Sequence, residues 1–314
     1  MIQVTDFSKC PLSSRDLEYG GRAGEKRGII YNDDFWFLKF PKSTNGMNNV
    51  QNLSYVTSPL NEFIGSNIFK ILGYHVHETK LGICFDGRKY KVVCACKDFI
   101  KDDKNEILIP YTALRNDTNP KIMKEKQSSS SSASNINEII FQLNYNTILS
   151  NIPHAKERFW DMVVIDVLIN NNDRNEDNWG VIKFKNTNHY ELAPIYDCGN
   201  CFYGKTSEKR IKDILSNKER LISSALNGIT AYEDNHENPI NNKQILRIDN
   251  GELKKAIIRI RKLIDEKLDE IVHFINSIPK SFKKIEIMSE ARKKYYIATL
   301  KLRIDKLLND DIIF

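Results

Sequence analysis

The sequence predicts an α+β protein in two parts, a strand-rich stretch over residues 1–100 and a larger helical one over 101–314. Three observations predict it. Short runs of β-type residues bounded by turn formers recur through the first hundred positions. From about residue 135 the apolar residues recur at helical spacing instead. No segment repeats at a period of about 20 to 50 residues, which excludes a solenoid or propeller.

The strand runs are Gly28–Tyr31, Phe35–Phe40, Lys80–Phe85 and Tyr90–Cys96, most of them flanked by Asn, Asp or Gly. They read as an antiparallel sheet interrupted by one helix, about Pro59 to Leu72, in which Leu60, Phe63, Ile64, Ile68 and Ile71 form a stripe and Gly73 supplies the stop. Helices are expected over Ile136–Leu149, His154–Asn170, Ile211–Leu226 and from about Gly251 onward. Residues 121–135, with Ser128–Ser132 and Ser134, hold too little apolar surface to offset the entropy of ordering them. That segment reads as a mobile loop within the second part.

With 314 residues and 41% apolar content the chain can bury a sizeable core. No run approaches the roughly 20 apolar residues that span a bilayer, and Met1–Asp6 lacks the basic-then-apolar layout of a secretory signal. The expectation is a cytoplasmic protein with no membrane span. Six cysteines are too few for a disulfide scaffold. Cys198 and Cys201 have CxxC spacing, but no second pair completes a four-ligand zinc site. The net charge of +6 is concentrated in residues 251–314, with 15 Lys/Arg against 10 Asp/Glu. There the charges around Lys254–Lys262 alternate with Ile257, Ile258 and Leu263, the pattern of a solvated helix face, so no specific nucleic-acid partner is expected.

Chemistry concentrates in four places. Asn170–Asn178 is a run of carboxamides and carboxylates broken only by Arg174, directly after an apolar helix, and its cost of burial places it in a wet cleft or around a ligand. Nineteen residues beyond Asn178, the apolar run Ala193–Tyr196 ends on Asp197. Pairing of Trp179–Phe184 with Tyr190–Ile195 as a hairpin brings Asp197 beside the Asp173–Asn178 loop. Phosphoryl transfer needs such a set: a carboxylate to orient a hydroxyl, and oxygen donors to hold magnesium. Lys39 is a lone cation in the apolar strand Phe35–Phe40, and Glu62 on the neighbouring helix is the anion that would hold it toward ATP phosphates. The glycine-rich Tyr19–Gly28 can approach phosphates closely, although it fits neither the P-loop nor the Rossmann pattern.

In this order and spacing the elements resemble the HipA-type serine/threonine kinases, most closely their short CtkA-like branch. Gly21, Arg22, Ala23, Gly24 and Lys26 fall in a segment similar to the family's A-G-A-Q-E-K phosphate loop; Lys39-Phe40-Pro41 resembles its nucleotide-anchoring strand, and Asn61-Glu62-Phe63 its partner-glutamate helix. Cys94–Phe99, with Lys97 and Phe99, lies where the family has its adenine-binding hinge. Asp173 to Asn178 matches the catalytic loop, and Ala193–Asp197 the strand of the second metal ligand.

The resemblance implies a two-lobed fold related to protein kinases and phosphatidylinositol kinases, with ATP and Mg2+ as cofactors. It implies Asp173 as catalytic base and Asn178 and Asp197 as metal ligands. It also implies a protein substrate, a capacity for autophosphorylation, and room for an antitoxin-like partner. Two departures stand out. Asn175 replaces the histidine of the family's D-R-H-x-x-N loop, and Tyr19 occupies the place of its inhibitory phosphoserine, leaving Ser128–Ser132 as the hydroxyl-rich alternative. A kinase of a small molecule or lipid head group, and a non-catalytic interaction module, are the readings left open by the residues alone.

Overall fold

The computed structural model describes residues 2–13, 26–41, 57–101, 105–115, 134–187 and 189–308. Gly21, Arg22, Ala23 and Gly24, Tyr19 and Ser128–Ser132, singled out above, lie outside the described residues.

The first part is a five-stranded sheet: β1 (Thr5–Asp6), β2 (Lys26–Tyr31), β3 (Asp34–Lys39), then, beyond helix α1 (Ser58–Ile71), β4 (Thr79–Phe85) and β5 (Tyr90–Lys97). The spatial order is β1-β4-β5-β3-β2, with β1 parallel to β4 and every other pair antiparallel. Asn32 and Asp33 both take positive φ, 51° and 62°, which is the two-residue turn whose twist suits a tight hairpin and which Asn and Asp tolerate best. Strand alternation divides the sheet's side chains. Trp36, Leu38, Val93 and Ala95 form a small outer core with Phe7 and Ile29, while Cys94 and Cys96 face the main core and α1. Helix α1 carries a proline in its first turn and ends at Gly73, whose φ of 89° needs no Cβ.

A second, three-stranded sheet joins β6 (Glu106–Pro110), which the sequence reading missed, to the hairpin strands. Then come α2 (Tyr111–Leu114), β7 (Ser134–Asn135), α3 (Ile136–Tyr145), α4 (Ala155–Ile169), β8 (Gly180–Phe184) and β9 (His189–Leu192). The hairpin β8–β9 pairs in the predicted place, Val181 opposite Leu192 and Phe184 opposite His189. Helix α4 is buried throughout Phe159–Ile169, and the two carboxylates in that run, Asp161 and Asp166, are paired with Arg259 and Arg174.

The helix expected over Ile211–Leu226 is two helices, α5 (Glu208–Leu215) and α6 (Lys218–Leu226). The break falls where the Asn217 side chain accepts from Arg220 N–H and starts the second one. Strands β10 (Ile229–Glu233) and β11 (Pro239–Asn241) and helix α7 (Asn242–Ile245) lead to α8 (Gly251–Ser277), which packs along α4. The basic stretch of α8 is the expected solvated face, except that Ile258 is itself exposed while Ile257 and Ile260 are buried. A two-stranded hairpin, β12 (Ser281–Phe282) and β13 (Ile285–Glu286), precedes α9 (Glu290–Arg303). No described helix is long and apolar enough to cross a membrane.

Two contacts set α1 against the later elements. Tyr296 O–H on α9 donates to Asn61 Oδ1 at 2.7 Å, and Asn61 Nδ2 donates to the Cys201 carbonyl at 2.8 Å. Gly65 is the close-approach residue: a Cβ there would sit 2.6 Å from Cys198 Cβ and 3.3 Å from Cys201 Sγ.

Candidate active site

Three charged side chains, with the His77 ring beside them, meet where the first sheet, α1 and the Ala193–Asp197 segment converge. The Lys39 ammonium on β3 lies 2.8 Å from Glu62 Oε2 on α1 and 2.8 Å from Asp197 Oδ1. The Lys39–Glu62 pair expected from the sequence is present, and Asp197 completes it as a second anion. Burial works against the Lys39 charge, but Asp197 and Glu62 outweigh it and hold its pKa well above the ordinary lysine value. For Glu62, which is fully buried, burial is likewise overcome by Lys39 and by the His77 ring, so its carboxyl stays below the usual carboxylate range. His77 Nε2 is 3.0 Å from Glu62 Oε1.

Lys26 is the direct cross-strand partner of Lys39, so both ammonium-bearing chains leave the same sheet face. Burial, with the Lys39 charge next, lowers the Lys26 pKa. Two facing cations on one face are unfavourable unless an anion lies between or beside them.

Asp173, Asn175, Asn178 and Asp197 are assembled by a residue that the sequence reading passed over. Arg174 is fully buried and extends its guanidinium between the polar loop and the segment that leads to Asp197. Its Nε donates to Asp166 Oδ2 at 2.8 Å and its Nη2 to Asp166 Oδ1 at 3.2 Å, a bidentate pair with helix α4. Its Nη1 donates to the carbonyls of both Asn178 (3.0 Å) and Tyr196. The backbones on either side of the two expected metal ligands are thereby tied to one planar cation. Asn171 Nδ2 adds a bond to Asp166 Oδ1 at 2.9 Å, and Tyr196 O–H donates to the Asp177 carbonyl at 2.9 Å.

Within the loop, Asn175 Nδ2 donates to Asp173 Oδ1 at 3.2 Å, and Asn175 Oδ1 accepts from Asp177 N–H at 3.0 Å. The asparagine that stands in place of the family's histidine therefore orients the Asp173 carboxylate. Asn178 Nδ2 donates to the Asp173 carbonyl, which leaves its amide oxygen for another partner. The other wall of the loop is α2: Tyr111 N–H donates to the Trp179 carbonyl, their rings stack at 4.4 Å, and Arg115 pairs with Glu176 at 2.7 Å. Burial pushes the Glu176 carboxyl up to about 6, against the pull of Arg115. Asp197 itself has φ 57°, a conformation uncommon outside glycine, held by the contacts around it.

Of the expected hinge pair, Phe99 lies beside Tyr196, with ring centroids 5.8 Å apart. Lys97 is elsewhere. It follows Cys96 on β5, so alternation turns it to the outer face, where its Nζ reaches Asp34 Oδ2 at 2.5 Å and lies 5.9 Å from the Trp36 ring centre. The CxxC cysteines are both free and fully buried, and burial pushes the Cys198 thiol up to about 12, the mark of an inert core thiol. Among the described residues the only grouping of three metal-type donors is Glu62, His77 and Cys96, within 4.8 Å of one another, and the cation that Glu62 faces is the Lys39 ammonium.

No protein-family model matches the chain. The serine/threonine-protein kinase CtkA of Helicobacter pylori (strain J99 / ATCC 700824) is 29% identical over 311 residues, covering 98% of this chain and 87% of that protein. A crystal structure of a Helicobacter pylori proinflammatory kinase CtkA superposes with a TM-score of 0.83 at 28% identity, over 98% of this chain and 96% of that one. HipA of Shewanella oneidensis MR-1, in its complex with HipB and operator DNA, is a much looser likeness, with a TM-score of 0.41 and 12% identity over 96% of this chain and 70% of that one. Along nearly its whole length, in sequence and in a two-lobed α+β fold, the chain is similar to the CtkA kinase of Helicobacter pylori, a likeness that supports a CtkA-like kinase.

Proposed function

We propose that the chain is an ATP- and Mg2+-dependent protein-serine/threonine kinase, with Asp173 as the base that orients the acceptor hydroxyl. The observation that carries this reading is the convergence of Lys39, Glu62 and Asp197 within 2.8 Å contacts beside a loop in which Arg174 holds the Asn178 carbonyl and Asn175 the Asp173 carboxylate.

The donor set suits the cofactors. Asp197 and the free amide oxygen of Asn178 are hard oxygen donors, the kind magnesium prefers over sulfur or imidazole. Lys26 and Lys39, facing each other on one sheet face, supply the fixed positive charge that a triphosphate needs. When bound, magnesium neutralises charge on the transferring phosphoryl group. On the protein's side, Lys39 with Lys26 and the Gly21–Gly24 segment would hold the phosphates, and Phe99 would lie against the base. Asp173, steadied by Asn175, accepts the proton of the acceptor hydroxyl or aligns it for in-line attack. CtkA, as its name records, is a serine/threonine-protein kinase, and this chain's acceptor is proposed to be a protein as well.

The test is incubation of the purified protein with magnesium and γ-labelled ATP, alone and with a generic acceptor protein, followed by phosphosite mapping. Label on serine or threonine is expected, and the phosphosite map decides whether the chain's own Ser128–Ser132 is among the acceptors. Asp173→Asn should keep nucleotide affinity and reduce transfer by on the order of 10² or more. Near-full activity of that variant would overturn the assignment of the base, and label appearing only on a small-molecule acceptor would overturn the protein substrate.

A further inference from the structure

Neither the phosphotransfer motifs nor the resemblance gives His77 any part, yet it touches both anions' supports. We propose that His77 is a positioning residue for the Lys39–Glu62–Asp197 group, a role that rests on the kinase reading above. Its side chain faces the Glu62 carboxylate, and its backbone holds the segment that leads to Asp197.

His77 lies between α1 and β4, with a relative exposure of 1%. Its Nε2 is 3.0 Å from Glu62 Oε1 and 3.2 Å from the Ser66 hydroxyl, one helical turn beyond Glu62. The two carboxylate oxygens of Glu62 are thus divided: Oε1 to the imidazole and Oε2 to Lys39 at 2.8 Å. A carboxylate held at one oxygen cannot rotate freely about its last torsion, so its other oxygen keeps a fixed direction toward the ammonium.

The backbone completes the arrangement. His77 N–H donates to the Ile195 carbonyl at 3.1 Å, and Ile195 N–H donates to the His75 carbonyl at 2.9 Å, forming a short parallel bridge centred on Val76 and Ile195. Ile195 is two residues before Asp197. One residue therefore fixes the two anions that clamp Lys39 relative to each other, Glu62 through the ring and Asp197 through the chain.

Both polar neighbours of the ring lie at Nε2, the Glu62 carboxylate at 3.0 Å and the Ser66 hydroxyl at 3.2 Å, while the buried Nδ1 has no hydrogen-bond partner among the described residues. The ring is thus placed by what faces Nε2, and the nearer of the two groups is Glu62.

The experiment is a double-mutant cycle between His77 and Glu62, read as kcat and KM for ATP and, independently of turnover, as affinity for a fluorescent ATP analogue. His77→Ala should lower kcat/KM for ATP by on the order of ten- to a hundredfold, as small misplacements at a reacting centre do. His77→Gln, whose amide N–H reaches about as far as Nε2, should recover most of that loss. In the Glu62→Gln background, His77→Ala should cost less than about twofold more, because the carboxylate that it served is gone. Fully multiplicative losses, or a His77→Gln variant no better than His77→Ala at equal melting temperature, would refute the role. Should His77→Ala not fold, His77→Asn, polar but too short to reach Glu62, takes its place in the cycle. If the wild-type protein transfers no phosphate at all, the kinase reading fails, and the analogue affinities of the same four proteins still decide whether His77 acts through Glu62.

Discussion

Replacing Arg174 with leucine should damage stability and activity by separable amounts. The guanidinium makes two bonds to Asp166, two to the carbonyls of Asn178 and Tyr196, and a 3.4 Å contact with Cys198 Sγ, all in the protein interior. Leucine fills part of the volume but leaves the buried Asp166 carboxylate without its cation, a loss of about 3–5 kcal/mol for a buried pair broken on one side. For a chain of this size each kcal/mol moves the melting temperature by about 2–4 °C, so a shift on the order of 10 °C is expected. Removing both charges, as Asp166→Leu with Arg174→Leu, should return most of that stability, because paired burial of charge adds little net free energy. Activity should not return, since Asn178 and Tyr196 would still lack the cation that ties them. Thermal and denaturant unfolding, run beside the labelling assay, separate the two effects. A single variant that loses under about 1 kcal/mol, or a double variant that regains phosphoryl transfer along with stability, would refute this account of Arg174.

Other changes have sharper local readouts. Lys39→Met should abolish detectable transfer, whereas Lys97→Ala should leave affinity for an ATP analogue within about twofold, because its ammonium pairs with Asp34 on the far face of the sheet. Gly65→Ala should destabilise by about 1–3 kcal/mol in denaturant titrations, because the new methyl would meet Cys198 Cβ at 2.6 Å between packed backbones. Glu176 gives a pH signature. Its folded-state carboxyl titrates near 6, above the ordinary 4.5, so the stability it contributes is complete below about 4.5 and is lost as pH rises through 6. Glu176→Gln cannot ionise and should lose less stability than the wild type between pH 4.5 and 6.5, by about 1 kcal/mol after allowance for solvent.

Much of the site was legible because its chemistry contradicts its surroundings. A lysine inside Phe35–Phe40 and a crowd of amides after the apolar α4 both demand partners, and the structure supplies Glu62 and Asp197 for the one and a pinned loop for the other. Arg174 was harder to see for the converse reason. An arginine among Asn and Asp looks solvated, and only the approach of Asp166 from α4 makes it an interior residue. His77 gave no local signal, since its partner is fifteen positions away on another element. Lys97 could have been placed correctly from strand alternation alone: with Cys94 and Cys96 facing the core, the next residue must face away. The break at Ser216–Asn217 and the strand Glu106–Pro110 were missed because capping by one asparagine and pairing with a distant hairpin leave little trace in periodicity.

Asn61 shows how α1 is shared between the two parts of the chain. The residue beside Glu62 is tied to Tyr296 at one end of its amide and to the Cys201 carbonyl at the other, while the same helix packs on β4 and β5. The Lys39–Glu62 contact therefore joins a strand of the sheet to a helix that is itself fastened to the helical part, so its geometry depends on both.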